Sequence, residues 1–216
     1  MSVVGDSGLE LALVVRSVSA ARFALEVEIA ELQKLLARID DEIKDSLPLF
    51  LACSGRVVVT GLGKPGHIGA KISATFSSTG TPSFFMHAAE SLHGDSGALV
   101  AGDLLLAISN SGETVEVCAI AKMAAALGIP VVSIVGKPES TLATYSDVVL
   151  HAHVQREADP LDLAPTASTT VALALGDAIA SALMAAREFT AKDFARCHPG
   201  GSLGKELNAS KDEATK

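Results

Sequence analysis

The period of hydrophobic positions changes along the chain. Between Leu9 and Leu51 apolar residues recur at helical spacing (Leu25, Ile29, Leu32, Leu36, Ile39 and Ile43) with charged residues on the other face. This predicts one or two amphipathic helices, closed by Pro48. Such a helix either covers its own chain's sheet or pairs between subunits, and the pattern alone does not choose. Residues 1–8 read as a loose start. From Arg56 short β-branched runs alternate with Ala-rich stretches. Strands are predicted at Val57–Thr60, Ser83–His87, Leu104–Ser109, Val131–Val135 and Val148–His151, and helices at Ile68–Ser78, Val115–Leu127, Glu139–Thr144 and Ala167–Arg187. The alternation predicts a parallel sheet with helices on both faces and right-handed crossovers. Leu104–Ile108 is continuously apolar, as a central parallel strand should be. Ligands of such sheets sit outside the carboxyl ends of the strands, so the loops after the strands are where chemistry is expected.

Composition narrows the classes. Of 216 residues, 49% are hydrophobic and 19% charged, which excludes disorder for most of the chain. The net charge of −8 comes with no Lys/Arg block, which argues against a nucleic-acid or anionic-membrane partner. Cys53, Cys118 and Cys197 have no paired spacing, as in a reducing compartment without disulfides. No uncharged run reaches the about 18 residues of a membrane span, because Lys122 and Asp177 interrupt the best stretches. No signal-peptide pattern opens the chain, so a cytoplasmic location is expected.

Three loops carry candidate chemistry. Gly61–His67 offers glycines for close backbone approach, a helix start and the positive charge of Lys64. It is neither the dinucleotide fingerprint nor a Walker loop, and a plain turn is the competing reading. Ser109-Asn110-Ser111-Gly112-Glu113-Thr114 follows the best strand; its hydroxyls and the next helix's amides form a phosphate cradle that needs no metal. N-capping by Ser111 or Thr114, with the Glu as capping-box partner, is compatible with that role. Leu163–Thr170 is a hydroxyl-rich loop ahead of a helix, a cap or a ligand group. Titratable groups gather at His87, Glu90, His93 and Asp95, and His198 stands before a Pro-Gly-Gly break where packing gives it no purpose.

Six segments fall in order: Gly-Lys-Pro-Gly-His (63–67), Ser-Thr-Gly-Thr-Pro (78–82), His-Gly-Asp (93–95), Ser-Asn-Ser-Gly-Glu (109–113), Leu-Ala-Pro-Thr (163–166) and His-Pro-Gly-Gly (198–201). Together they resemble the sugar-isomerase (SIS) domain of the arabinose-5-phosphate isomerases, over roughly Arg56 to Leu207. The resemblance implies a three-layer α/β/α sandwich with a five-stranded parallel sheet, preceded by an N-terminal helix. It divides the chain into a helical segment (1–51), the SIS domain (52–207) and a disordered tail (208–216). It implies reversible conversion of ribulose 5-phosphate to arabinose 5-phosphate, feeding Kdo synthesis, by a homotetramer without a cofactor. Matching positions assign catalysis to Lys64, His93, Glu116, Glu157 and His198, the last reaching a neighbouring subunit's site. Substrate contacts are expected at Gly63, Gly80, Thr81, His87, Ser109, Asn110, Ser111, Thr114 and Ser168. No metal is required, although a histidine matching His87 can hold an adventitious one.

The chain departs from the family pattern in places. Pro65 stands where relatives often carry Ser, removing one hydroxyl from the phosphate site. Asp159 stands beside Glu157 where Cys is common; a second carboxylate there either raises the pKa of Glu157 or faces water. The chain stops after the isomerase domain, so regulation through the tandem CBS pair of many relatives is not expected. Isomerisation needs a base for the proton beside the carbonyl, with Glu157 or His198 in that role, while Glu116 and His93 open the ring or orient hydroxyls. Three rival readings remain. One is a non-catalytic phosphosugar-binding regulator, although the N-terminal segment lacks a basic recognition helix. The others are an isomerase of another sugar phosphate and a metalloenzyme using His151 and His153.

Overall fold

Residues 7–198, described by a computed structural model, alternate between helix and strand. In chain order the elements are α1 (Ser7–Ala52), β1 (Val57–Gly61), α2 (Gly63–Ser78), β2 (Ser83–His87), α3 (Ala88–Ser91), β3 (Leu104–Ser109), α4 (Val115–Ala126), β4 (Val131–Val135), β5 (Val148–His151), α5 (Ala167–Ala186) and α6 (Ala191–Cys197). The five strands form one sheet in the order β2-β1-β3-β4-β5, and every ladder is parallel. β1, β3 and β4 are buried along their whole length, which is why their sequences are mostly apolar, with Thr60, Ser109 and Ser133 the buried polar exceptions. The edge strands β2 and β5 are only partly covered.

Alternate residues of each strand serve the two layers. Val57, Val59, Leu104, Leu106 and Ile134 face the core shared with α1, α2 and α5. Val58, Leu105, Ala107 and Val131 face the core shared with α3 and α4. This is the expected three-layer α/β/α sandwich with its N-terminal helix. The second half of α1 covers the sheet of its own chain, with Leu35 and Phe50 in the core. The first half leaves Leu11, Val14, Val18 and Leu25 more than half exposed.

The strand predictions match the structure to within one residue. Three helix predictions need correction. Pro48 does not end α1, which runs four residues past it to Ala52. Phe50, beyond the proline, is fully buried with its ring centroid 5.8 Å from that of Phe76, and this packing outweighs the lost hydrogen bond. α2 starts at Gly63, five residues before Ile68, because a proline in a first turn gives up an amide that has no intrahelical partner anyway. Glu139–Thr144 is not a helix; only Ala143–Tyr145 forms a single 3-10 turn. The Thr141 and Leu142 amides donate to Glu113 and to the Gly112 carbonyl instead, so they are unavailable to a helix ladder. The loose start expected over residues 1–8 is corrected at its end, because Ser7 and Gly8 already belong to α1. Residues 1–6, the Pro-Gly-Gly break and the tail at 208–216 lie outside the described residues. α5 is apolar enough to pass a membrane-span test by composition, but Leu175, Ile179 and Leu183 are buried in the core.

Candidate functional site

β1 and β3 are neighbours, yet the chain continues to β2 on one side and to β4 and β5 on the other. A switch point of this kind opens a crevice between the loops that follow the two strands. Those connections are Leu62, leading directly into Gly63 and Lys64 at the start of α2, and Asn110–Thr114.

The second loop is held open by its own hydrogen bonds. The Ser109 and Thr114 hydroxyls lie 2.9 Å apart, and the Gly112 amide donates to Ser109 Oγ at 3.1 Å. Ser111 Oγ accepts from the Glu113 amide at 3.2 Å. Thr114 occupies the N-cap of α4 but makes no side-chain cap bond, so the loop's hydroxyls are not engaged in capping. Glu113 does not form the expected capping box. Its carboxylate instead accepts from the Thr141 amide at 2.8 Å and the Thr141 hydroxyl at 2.6 Å. The hydroxyl first, and the amide second, hold this carboxyl below its ordinary value. Gly112 sits at φ +67°, and a Cβ there would collide with Ser140. Burial foremost, and the Glu113 charge second, push the Cys118 thiol up, so it stays protonated and donates to the Gly112 carbonyl at 3.4 Å.

Asn110 joins two clefts at this rim. The inner, narrow one is lined also by Pro65, Ile108, Ser168 and Thr169. The outer, of about 290 Å³, is lined also by Ser111, Gly136, Lys137 and His153. Lys137 was not anticipated as a site residue, and His153 only as a metal ligand. The signal for both was present, since each follows the carboxyl end of a strand. Gly63 and Lys64 are exposed at the start of α2. Its other glycines serve packing, since a Cβ at Gly66 would lie 3.0 Å from the Gly61 carbonyl oxygen.

Glu157 closes the N-terminus of α5. Its carboxylate accepts from the Thr166 amide at 2.8 Å, the Ser168 amide at 3.1 Å and the hydroxyls of both residues. The expected helix cap of the hydroxyl-rich loop therefore comes from outside the loop. Asp159 does not turn toward Glu157; it accepts from the Leu161, Leu163 and Ala164 amides. Desolvation pushes the Asp159 carboxyl up, but those amides together outweigh it and hold it below its ordinary value.

The remaining predicted residues are spread around the sheet. Glu116 lies half-buried in the first turn of α4. His87 ends β2 and lines an open groove of about 500 Å³ with Phe84 and Asp95, and His93 is exposed in the turn beyond α3. Gly80 and Thr81 are not beside the cradle of their own chain. They precede β2, at the opposite end of that strand from His87. Thr81 is buried and its hydroxyl accepts from Arg187 at 2.5 Å, while a Cβ at Gly80 would meet the Phe189 ring at 2.6 Å. α2 returns the chain to the amino ends of the strands before β2, and α5, whose 20 residues span about 30 Å, brings Arg187 and Phe189 to that same end. His198 follows α6, which starts beside that far end, and its Nδ1 lies 2.9 Å from the Phe194 carbonyl oxygen. Among the described residues no three His, Cys, Asp or Glu side chains converge as a metal site would require.

Fold and crevice define a doubly wound α/β domain with candidate ligand-binding groups at its switch point. The family model described as the SIS domain matches residues 50–182, and the chain belongs to that family. It is 52% identical over 190 residues to the arabinose 5-phosphate isomerase KdsD of Pseudomonas aeruginosa, covering 88% of this chain and 58% of that protein. The chain thus spans little more than half the length of the curated relatives it matches. An Escherichia coli CFT073 protein solved in complex with arabinose 5-phosphate superimposes with a TM-score of 0.80 at 36% identity, covering 90% of this chain and all of the other. A Bacteroides fragilis protein described as a putative phosphosugar isomerase involved in capsule formation gives 0.70 at 37% identity, over 80% of this chain and 98% of its own.

Proposed function

We propose that this chain is an aldose–ketose isomerase that interconverts D-arabinose 5-phosphate and D-ribulose 5-phosphate by general acid–base catalysis. The observation that carries the reading is the Ser109–Thr114 loop. Its hydroxyls stand uncommitted to capping beside the free end of α4, at the rim of the switch-point crevice. The names of the relatives and the arabinose 5-phosphate bound by the Escherichia coli protein support this choice of sugar.

In this reading Ser109, Asn110, Ser111, Thr114 and the α4 amides hold the phosphate, and Gly63 and Lys64 close the anion site from α2. Ser168 and His87 contact the sugar. A base, Glu157 or His198, takes the proton from C2 of the open-chain aldose while O1 is protonated. The enediol then loses its O2 proton as C1 gains one, leaving the ketose. Glu116 and His93 open the ring and orient hydroxyls. His198 acts on a neighbouring copy's site, because its own chain carries it to the sheet's far end together with Gly80 and Thr81. The exposed apolar stripe of the first half of α1 favours association of copies, read as a homotetramer. The reaction would supply arabinose 5-phosphate to Kdo synthesis in the cytoplasm.

Incubating the purified protein with a panel of sugar 5- and 6-phosphates tests this. Interconversion of the pentose pair, seen by NMR and unaffected by a chelator, is expected. Binding of arabinose 5-phosphate without turnover would indicate a regulator, and turnover of a hexulose phosphate alone would indicate another isomerase.

A further inference from the structure

The edge strand β5 leaves the outward N–H and C=O of His151 without a partner strand, a liability that folds must cover. Here two side chains of α1 take the strand's place. Glu42 Oε2 accepts from the His151 amide at 3.0 Å, and Arg38 Nη2 donates to the His151 carbonyl at 2.7 Å. The two side chains face each other, with Arg38 Nε 3.3 Å from Glu42 Oε1. Glu42 is only 6% exposed. Three turns earlier on α1, the equally buried Glu31 accepts from the Gln155 amide at 3.3 Å and from Lys34 at 2.7 Å. Arg156 stacks over the Phe23 ring of α1 at 4.9 Å and donates to the Glu157 carbonyl at 3.2 Å. The chain from His151 to Glu157 is therefore pinned to α1 at three points and to α5 through the Glu157 carboxylate.

Buried carboxylates are destabilising unless well partnered, and an apolar cover would shield the sheet edge without that penalty. Such a cover would leave the His151 and Gln155 amides unpaired and the exit of β5 without a fixed path. We propose that Glu42, with Arg38, is a positioning residue. It sets the path of residues 151–157 and through them the placement of the Glu157 carboxylate against the crevice. This rests on the isomerase reading above. The phosphate cradle stands on β3 and α4, and of residues 151–157 only His153 and Val154 line the cleft beside it, so Glu42 acts chiefly on turnover rather than on phosphate binding.

The test uses the full chain carrying Glu42→Ala and Glu42→Gln, with kcat and KM for arabinose 5-phosphate and the inhibition constant of inorganic phosphate. Displacing a catalytic group by an ångström costs up to about 100-fold, so Glu42→Ala is expected to lower kcat at least about tenfold. KM and the phosphate constant stay within about threefold, and Glu42→Gln, whose amide oxygen still accepts from His151, recovers most of kcat. Wild-type kcat in a folded Glu42→Ala protein would overturn the proposal, as would a parallel loss of turnover and phosphate binding. If Glu42→Ala fails to fold, Arg38→Met carries the same comparison. An inactive wild type would instead sink the isomerase reading beneath it.

Discussion

The Glu157 carboxylate joins an observed structural job to a proposed catalytic one. It takes four hydrogen bonds from the start of α5, close to the full acceptor capacity of a carboxylate, and it is a candidate proton acceptor. Glu157→Gln separates the jobs, because the amide oxygen still caps α5 while the basicity is gone. A general base contributes about 10²–10⁴-fold, so Glu157→Gln should lose turnover by that factor with its melting temperature nearly unchanged. Turnover within about fivefold of wild type would assign the base to His198. The same residue shows where sequence reasoning stops. The Leu163–Thr170 hydroxyls suggested a helix cap, and a cap is there, but its acceptor lies nine residues upstream of Thr166, a separation that no capping pattern encodes.

Between elements, the tether from Glu113 to Thr141 ties the loop after β3 to the loop after β4. Its carboxyl titrates below the ordinary 4.5 in the folded protein. A depressed folded value stabilises the tether above the unfolded value and loses that contribution as pH falls through the folded one. The tether is thus intact at neutral pH and opens only in acid. The Thr141 amide resonance should shift with a midpoint below 4.5, and a midpoint at or above 4.5 would contradict the bond. At this scale the strands were legible, because buried parallel strands are short runs dominated by β-branched and apolar residues that a short window detects. Helix ends were less legible. Pro48 and the Gly63–Pro65 stretch carry local signals to stop or to turn, and distant packing of Phe50 or an unneeded first-turn amide overrides both. The Glu139–Thr144 segment has helical composition, but its amides answer to a loop about 30 residues earlier, outside any local pattern.

Across the whole molecule, one chain divides its candidate groups between two ends of the sheet. Lys64, Ser109, Ser111, Thr114 and Glu157 gather at the carboxyl ends of the strands. Thr81 and the start of α6 lie at the other end. The predicted strands already put Thr81 ahead of β2 and so at the amino ends, but no local pattern says that α6 starts at that same end. The proposed site, completed between copies, predicts complementation. Glu157→Gln and His198→Ala are each expected to be nearly inactive, but mixed oligomers contain sites with an intact Glu157 from one copy and an intact His198 from the other. With random assembly, roughly a quarter of the sites should be restored, and no recovery in verified mixed oligomers would place both groups in one chain's site.

The central claim is that a phosphate gripped at the switch point leaves a sugar's C1–C2 unit to a protein acid–base pair through an enediol. Arabinose 5-phosphate incubated with the protein in D₂O and followed by NMR tests it most directly. Ribulose 5-phosphate carrying solvent deuterium at C1, together with aldose labelled at C2 on return, is the predicted result. Ketose formed with the substrate hydrogen wholly retained at C1 would point to direct hydride transfer and contradict the account.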